Sequence, residues 1–202
     1  HYLISKIIKN KFKIDYPLNI VNIGGITNIT QIKDTLDDLN KNFFAYDIAP
    51  GNCLIDEWVR MHLNTSYDKN GNYASSGKVD NLILNQAIDN FELKSFNNSL
   101  DVKDFDLSFV KGLSFEDGCA TLTKFTAFLI SNGLEKISKK NNISLKNIIL
   151  CGGGRKNSFL IKSIREFLDN NNIRIEDINN YNFDGNFIES QAFAFWAIRS
   201  YL

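Results

Sequence analysis

Proline is nearly missing from this 202-residue chain: only Pro17 and Pro50 occur, beside one Met, two His and three Cys. That scarcity excludes a collagen-like or polyproline architecture. Cys53, Cys119 and Cys151 are odd in number, widely spaced and free of any Cys-x-x-Cys pattern. They indicate neither a disulfide framework nor a zinc site, and a reducing cytoplasm is the expected setting. His1 and His62 give no His-x-x-x-His spacing and no Ser-His-Asp set, so zinc-protease and triad-hydrolase chemistry lack their residues. Neither sign of charge dominates, since Lys plus Arg and Asp plus Glu each total 23. Nucleic acid and anionic membranes attract basic proteins, so neither is an expected partner. No apolar run approaches the roughly 20 residues of a membrane helix. His1-Tyr2-Leu3-Ile4 shows no signal-peptide pattern, and the missing initiator Met points to the downstream part of a longer chain. Walker A and Gly-x-Gly-x-x-Gly strings are absent as well.

What remains is an ordinary globular composition, 44% apolar and 23% charged. Ile20, Val21 and Ile23, then Gly24-Gly25, then Ile26 to Ile32 predict a hairpin. Asn40-Lys41-Asn42 supplies a turn before a third strand over Phe43 to Ile48, which Ala49-Pro50-Gly51-Asn52 breaks. Leu54, Ile55, Trp58, Val59 and His62 share one helical face, with Asn52 as N-cap. A polar loop over Asn64 to Ser76 precedes a helix near Lys78 to Asn90 and an irregular stretch to Leu113. Ser114 and Asp117 form a capping box before a long helix striped by Phe115, Cys119, Leu122, Phe125, Leu129 and Ile130. A strand over Asn147 to Leu150 ends at Gly152-Gly153-Gly154. A helix from Ser158 to Leu168, a strand near Ile173 to Ile175 and a helix from Ile188 to Tyr201 follow. Three meander strands followed by alternating units predict an α/β layer fold, one unit over residues 1–202 with an insertion at about 64–113.

Four clusters can carry chemistry, and each has a plainer structural reading. Gly24-Gly25 with Thr27 and Asn28 can offer backbone N–H groups to a phosphate, or can be an ordinary turn. Asp47, at the end of the third strand, is placed for a general base, or for capping a turn. Gly152-Gly153-Gly154 with Asn157 can floor a nucleotide, or can be a close-packed strand-to-helix turn. Glu189 opens the last helix, where the dipole favours an anion in any case. His62 reads as packing.

In order, these clusters resemble one family. Asn22-Ile23-Gly24-Gly25-Ile26-Thr27-Asn28 and Tyr46-Asp47-Ile48-Ala49-Pro50-Gly51-Asn52 with Leu54-Ile55-Asp56-Glu57-Trp58 resemble the anhydro-N-acetylmuramic acid kinases. So do Ser75-Ser76-Gly77-Lys78-Val79, Cys151-Gly152-Gly153-Gly154-Arg155-Lys156-Asn157 and Glu189-Ser190-Gln191-Ala192-Phe193-Ala194. The resemblance implies the actin-like (sugar kinase and heat-shock ATPase, ribonuclease H-like) fold, whose lobes extend three antiparallel strands with parallel ones and carry helices on both faces. It also implies ring opening of a 1,6-anhydro sugar by water, with ATP and magnesium phosphorylating the 6-hydroxyl in murein recycling. Asp47 matches the base that takes the proton from that water. Gly24, Gly25 and Asn28 then lie near the phosphates, Gly152, Gly153 and Asn157 near the nucleotide, and Glu189 near the sugar; no metal ligand is assigned. The family's Gly-Thr-Ser-x-Asp-Gly loop and His-Gly-Gln-Thr stretch do not occur. The chain therefore resembles a C-terminal lobe, inactive without an N-terminal one and with an apolar face that could make it dimerise. Ala49 replaces a family Gly, adding a methyl beside Asp47, and Asn98 and Val102 stand where the family has Lys and Arg, unless an insertion at Phe96-Asn97 leaves Lys94 to serve. A non-catalytic interaction module of the same fold, or another sugar kinase of the superfamily, are the alternatives.

Overall fold

The computed structural model describes residues 1–34, 42–91, 99–168 and 172–200. The expected turn at Asn40 and Lys41, and Lys94, Phe96, Asn97, Asn98 and Tyr201, lie outside the described residues. Five strands form one mixed sheet: β1 (Leu18–Ile23), β2 (Ile26–Ile32), β3 (Phe43–Pro50), β4 (Asn147–Cys151) and β5 (Arg174–Asp177), in the order β3-β2-β1-β4-β5. β1, β2 and β3 are the antiparallel meander, and β4 and β5 add in parallel. This is the predicted α/β arrangement. β1 lies at the centre, covered on both faces, and all six of its residues are buried.

Alternation along the strands separates two cores. Val21, Ile23, Ile29, Ile48, Ile148 and Leu150 face one layer of helices: α2 (Cys53–His62), α5 (Phe115–Asn141) and α6 (Ser158–Phe167), with the shorter α3 (Asn72–Ser76) and α4 (Asn81–Asp89) packed on that side. Leu18, Ile20, Ile32, Ile149 and Cys151 face the other side, which is covered by α1 (Tyr2–Phe12), the turn at Ile178–Tyr181 and Ile188, the first residue of α7 (Ile188–Arg199). The first layer is thick and the second thin.

Local chemistry explains where the elements depart from expectation. α1 was not anticipated, although Ile4, Ile8 and Phe12 recur every four residues and pack on the thin side. Within the expected loop at Asn64 to Ser76, the buried Asp68 carboxylate accepts from the Tyr73 and Ala74 N–H groups at 2.9 and 3.0 Å and so fixes the start of α3. Ser114 Oγ accepts from Asp117 N at 3.2 Å, but the Asp117 carboxylate accepts from Lys78 N at 2.7 Å. The expected capping box is therefore half formed, its acidic member spent on tying the start of α5 to the chain before α4. Asn52 holds the N-cap position of α2 without a side-chain cap bond.

Candidate functional site

The strand register draws a polar row across one end of the sheet. Asn22 of β1 pairs with Asn28 of β2 on one side and with Cys151 of β4 on the other, and Asn28 pairs with Asp47 of β3. Paired residues share a face and lie about 5 Å apart between Cα atoms. Asp47, Asn28, Asn22 and Cys151 thus stand side by side on the thin face. Tyr46 and Ile48, which flank Asp47, point into the thick core instead. The Asp47 carboxylate is half-buried and accepts from Leu100 N at 3.0 Å, so the insertion reaches over it. Glu189, in the first turn of α7, joins the row through Asn22, whose Nδ2 donates to Glu189 Oε1 at 2.6 Å.

A β-bulge between Thr27 and Asn28 makes this possible. Thr27 pairs with Ala49 and Asn28 with Asp47, so Ile48 is the extra residue. Ile48 and Ala49 are both buried in the thick core. The Ala49 methyl, expected beside Asp47, lies on the opposite side of the sheet and leaves the carboxylate's surroundings unchanged.

Glycine turns flank the row. Gly24 and Gly25 present carbonyl groups to the start of α2, where Gly51 N and Cys53 N donate to Gly25 O at 2.8 and 3.2 Å and Asn52 N donates to Gly24 O at 2.8 Å. A Cβ on Gly51 would stand 2.2 Å from Gly24 O, so only glycine permits this approach. Gly25 remains exposed at the tip. On the other side Gly152 has φ +81°, and a Cβ there would meet Asn22 Oδ1 at 2.3 Å. Gly153 is exposed, with open space where a side chain would be. Asn157 is committed elsewhere: it is buried, its Oδ1 caps α6 by accepting from Leu160 N at 3.0 Å, and it packs against Gly71. The structure thus brings Asp47, Asn28 and Glu189 into one row beside Gly25, Gly152 and Gly153, while Asn157 acts as a helix cap and the Gly24 carbonyl as a tether.

Two residues passed over in the sequence hold this arrangement. Asn22 is buried, and Cys151 Sγ lies 3.8 Å from its Oδ1. With Oδ1 on the thiol side, Nδ2 is directed at Glu189. An Asn set between Val21 and Ile23 in a β-branched run was the available signal. Arg155 is also buried and clamps the glycine turn: its Nη1 donates to Gly152 O at 2.7 Å, its Nε to Asp177 Oδ1 at 3.2 Å and its Nη2 to Asn179 Oδ1 at 3.4 Å. Cys151 is no nucleophile, because burial pushes its thiol up to about 12. The same cause raises Cys119 to about 12 and Cys53 to about 11. Among the described residues no group of three or more His, Cys, Asp or Glu could hold a metal ion, and no helix is long and apolar enough to cross a membrane. A cavity of about 490 Å³ lined by Phe91, Phe105, Phe109 and Phe125 belongs to the insertion and its contact with α5.

Known proteins resemble this chain in sequence and in fold. A chain from Pelagibacter ubique named anhydro-N-acetylmuramic acid kinase is 49% identical over 203 residues, covering 99% of this chain and 53% of its own length. A protein of that name from Zymomonas mobilis is 34% identical over 91% of this chain and 48% of its own length. The chain therefore spans about half the length of the curated relatives it matches. Among solved structures, the Acidaminococcus fermentans (R)-2-hydroxyglutaryl-CoA dehydratase component A superposes with TM-score 0.51 at 15% identity, over 89% of this chain and 63% of that one. The Clostridium difficile activator of 2-hydroxyisocaproyl-CoA dehydratase, with bound ADPNP, superposes with TM-score 0.50 at 14% identity, over 86% of this chain and 57% of that one. These likenesses establish the actin-like ATPase fold. The model of the family described as anhydro-N-acetylmuramic acid kinase matches residues 9–201, and the chain belongs to that family.

Proposed function

We propose that this chain is the C-terminal half of an anhydro-N-acetylmuramic acid kinase and supplies the carboxylate that activates water in opening the 1,6-anhydro ring. The observation that carries the reading is the Asp47–Asn28–Asn22 row with Glu189 bonded to its end. In the proposed step the water oxygen bonds to the anomeric carbon, its proton passes to Asp47, and the bond from that carbon to the 6-oxygen breaks. Asp47 suits a base because it lies on the polar face of β3, three residues before the strand ends at Pro50, and is held in place by Leu100 N. Glu189, steered by Asn22, suits orienting a sugar hydroxyl. ATP with magnesium supplies the phosphoryl group for the 6-oxygen.

The residues present are compatible with a nucleotide. Gly25 and Gly153 leave open surface at the two turns beside the row, and the C. difficile relative by fold carries ADPNP. Magnesium would be held through phosphate oxygens and water, with any carboxylate ligand supplied by the other lobe, since Asp47 and Glu189 are committed to water and sugar. Because phosphoryl transfer depends on positioning and charge neutralisation, half a site is not enough. The partner is accordingly an N-terminal lobe with the phosphate loop that this sequence lacks, and the cytoplasm is the compartment where ATP and sugar would meet. The Ala49 methyl, which would have favoured a non-catalytic remnant, has no such weight now that it lies in the core.

The test joins the unmatched part of the P. ubique kinase ahead of this chain and assays ATP-dependent phosphorylation of the anhydro sugar. The joined protein turns over and the chain alone does not. Asp47→Asn in the joined protein lowers the rate by about 10²- to 10⁴-fold with nucleotide binding retained. An unchanged rate in that variant overturns the assignment of Asp47, and robust turnover by the chain alone overturns the half-enzyme reading.

A further inference from the structure

The last helix is too apolar for where it lies. From Ala192 to Ile198 every residue is apolar, and seven successive residues go almost twice around an α-helix. A helix apolar all round belongs in an interior. Yet α7 buries only Ile188, and Phe193, Trp196 and Ile198 are 75%, 71% and 65% exposed, with Phe187 and Phe195 also in the open. An aromatic side chain carries roughly 150–250 Å², so these five residues expose on the order of 500 Å² of apolar surface. That is as much as the largest apolar patch of a typical monomer, and such patches often mark contact sites. Leu3 and Ile7 of α1, one turn apart, are exposed as well.

We propose that α7 is the docking helix for the other half of the kinase. The proposal rests on the half-enzyme reading and identifies the surface through which the halves meet. Two observations select that occupant over others. The family match extends to residue 201 and so includes α7, while the P. ubique and Z. mobilis relatives have about as much chain again beyond what is matched here. In addition, the first turn of α7 is tied to the polar row, since Glu189 bonds to Asn22. A body that covers α7 therefore adjoins Asp47 and the glycine turns, as the second wall of a shared site must. Burial of α7 and completion of the site become one event.

The helix carries its own reporter. Trp58 is buried, with its indole N–H donating to Phe115 O, whereas Trp196 stands in solvent. Acrylamide quenching of the chain alone and of the joined protein, each beside its Trp196→Phe variant, isolates the Trp196 signal. In the chain alone at low concentration Trp196 is quenched freely, and in the joined protein its quenching constant falls at least threefold. Phe193→Glu with Ile198→Glu restores free quenching in the joined protein. In the chain alone the same pair lowers binding of an apolar fluorescent dye several-fold without changing the thermal midpoint, because neither residue is in a core. Equal quenching in the two proteins overturns the proposal, and so does dye binding indifferent to the substitutions. Shielding of Trp196 in the chain alone, rising with concentration and unchanged in the joined protein, assigns the face to a second copy and also overturns it. An active joined protein with Trp196 exposed defeats this inference alone, and an inactive one with Trp196 shielded defeats only the catalytic reading.

Discussion

Asn19 and Asn22 are three residues apart on one strand, and they face opposite sides of the sheet. Asn19 faces the helix side and closes a polar chain: its Nδ2 donates to the Ser144 and Asn147 carbonyls at 2.9 and 3.1 Å, and its Oδ1 accepts from Gln31 Nε2 at 2.9 Å. Gln31 Oε1 in turn accepts from Asn141 Nδ2 at 2.8 Å, and Asn141 Oδ1 from the Tyr46 hydroxyl at 3.3 Å. Asn22 has one strong bond, to a carboxylate at the surface, and a weak one to a thiol. The first amide finishes a structure, and the second directs a group toward something outside it. Polar residues in a buried strand divide on that basis: those whose partners all lie inside the fold maintain it, and those whose partner ends in the open serve a site.

Substitution should separate the two. Asn19→Leu removes the acceptor of Gln31 Nε2 and a donor to two backbone carbonyls, so a loss of about 3 kcal/mol is expected, read from the urea midpoint. A loss under about 1 kcal/mol would mean that solvent reaches that end. Gly152→Ala forces a side chain into positive φ and against Asn22 Oδ1 and the Ile23 carbonyl. It should cost about 2 kcal/mol and displace Glu189 as well; retained sugar affinity in the joined protein would show that Glu189 does not depend on this turn. Asn22→Leu should cost only about 1 kcal/mol, because the exposed Glu189 can turn to water. In the joined protein it should nonetheless raise the KM for the sugar clearly, and an unchanged KM would erase the contrast with Asn19.

Carboxylates repeat the pattern at a smaller scale. Asp68 is met by two N–H groups, whereas burial pushes Asp56 up to about 6 from 3.8, with the Arg60 guanidinium opposing and the Asp68 charge adding. A folded-state value above the unfolded one favours folding fully below pH 3.8, and the benefit is lost as pH rises through about 6. Solvent around this half-exposed carboxyl reduces the effect to under about 1 kcal/mol. Asp56→Asn should flatten the stability profile across that interval in urea titrations, and an unaltered slope would place the titrating group elsewhere.

Much of this was legible in the residues themselves. The meander, the parallel additions and the long α5 follow from alternation, glycine punctuation and a 3.6-residue stripe, because each is a local pattern that tertiary packing then reinforces. Asp47 and the glycine turns were recognisable as motifs. Their convergence was implied only by the family resemblance, because register is a relation between strands: nothing near Asp47 announces that Asn28 and Asn22 line up beside it. Partner choice was hidden for the same reason. Asn157 could floor a nucleotide or cap a helix, and only Leu160 N and Gly71 decide for the cap. Arg155 gave no sign that it would be drawn inward, since the groups that compensate its charge, at Gly152, Asp177 and Asn179, are spread over 28 positions of chain.

The bulge at Ile48 acts as a frameshift acts on a message. Every position after it is read on the opposite side, so a single deletion at Ile48 or Ala49 would leave the upstream lettering of β3 intact and send the Pro50-Gly51 corner to the wrong address. Length, rather than chemistry, is then the property of β3 least free to drift. A library that varies residue identity at Ile48 and Ala49 should tolerate many small apolar choices, whereas one that varies their number should tolerate almost none.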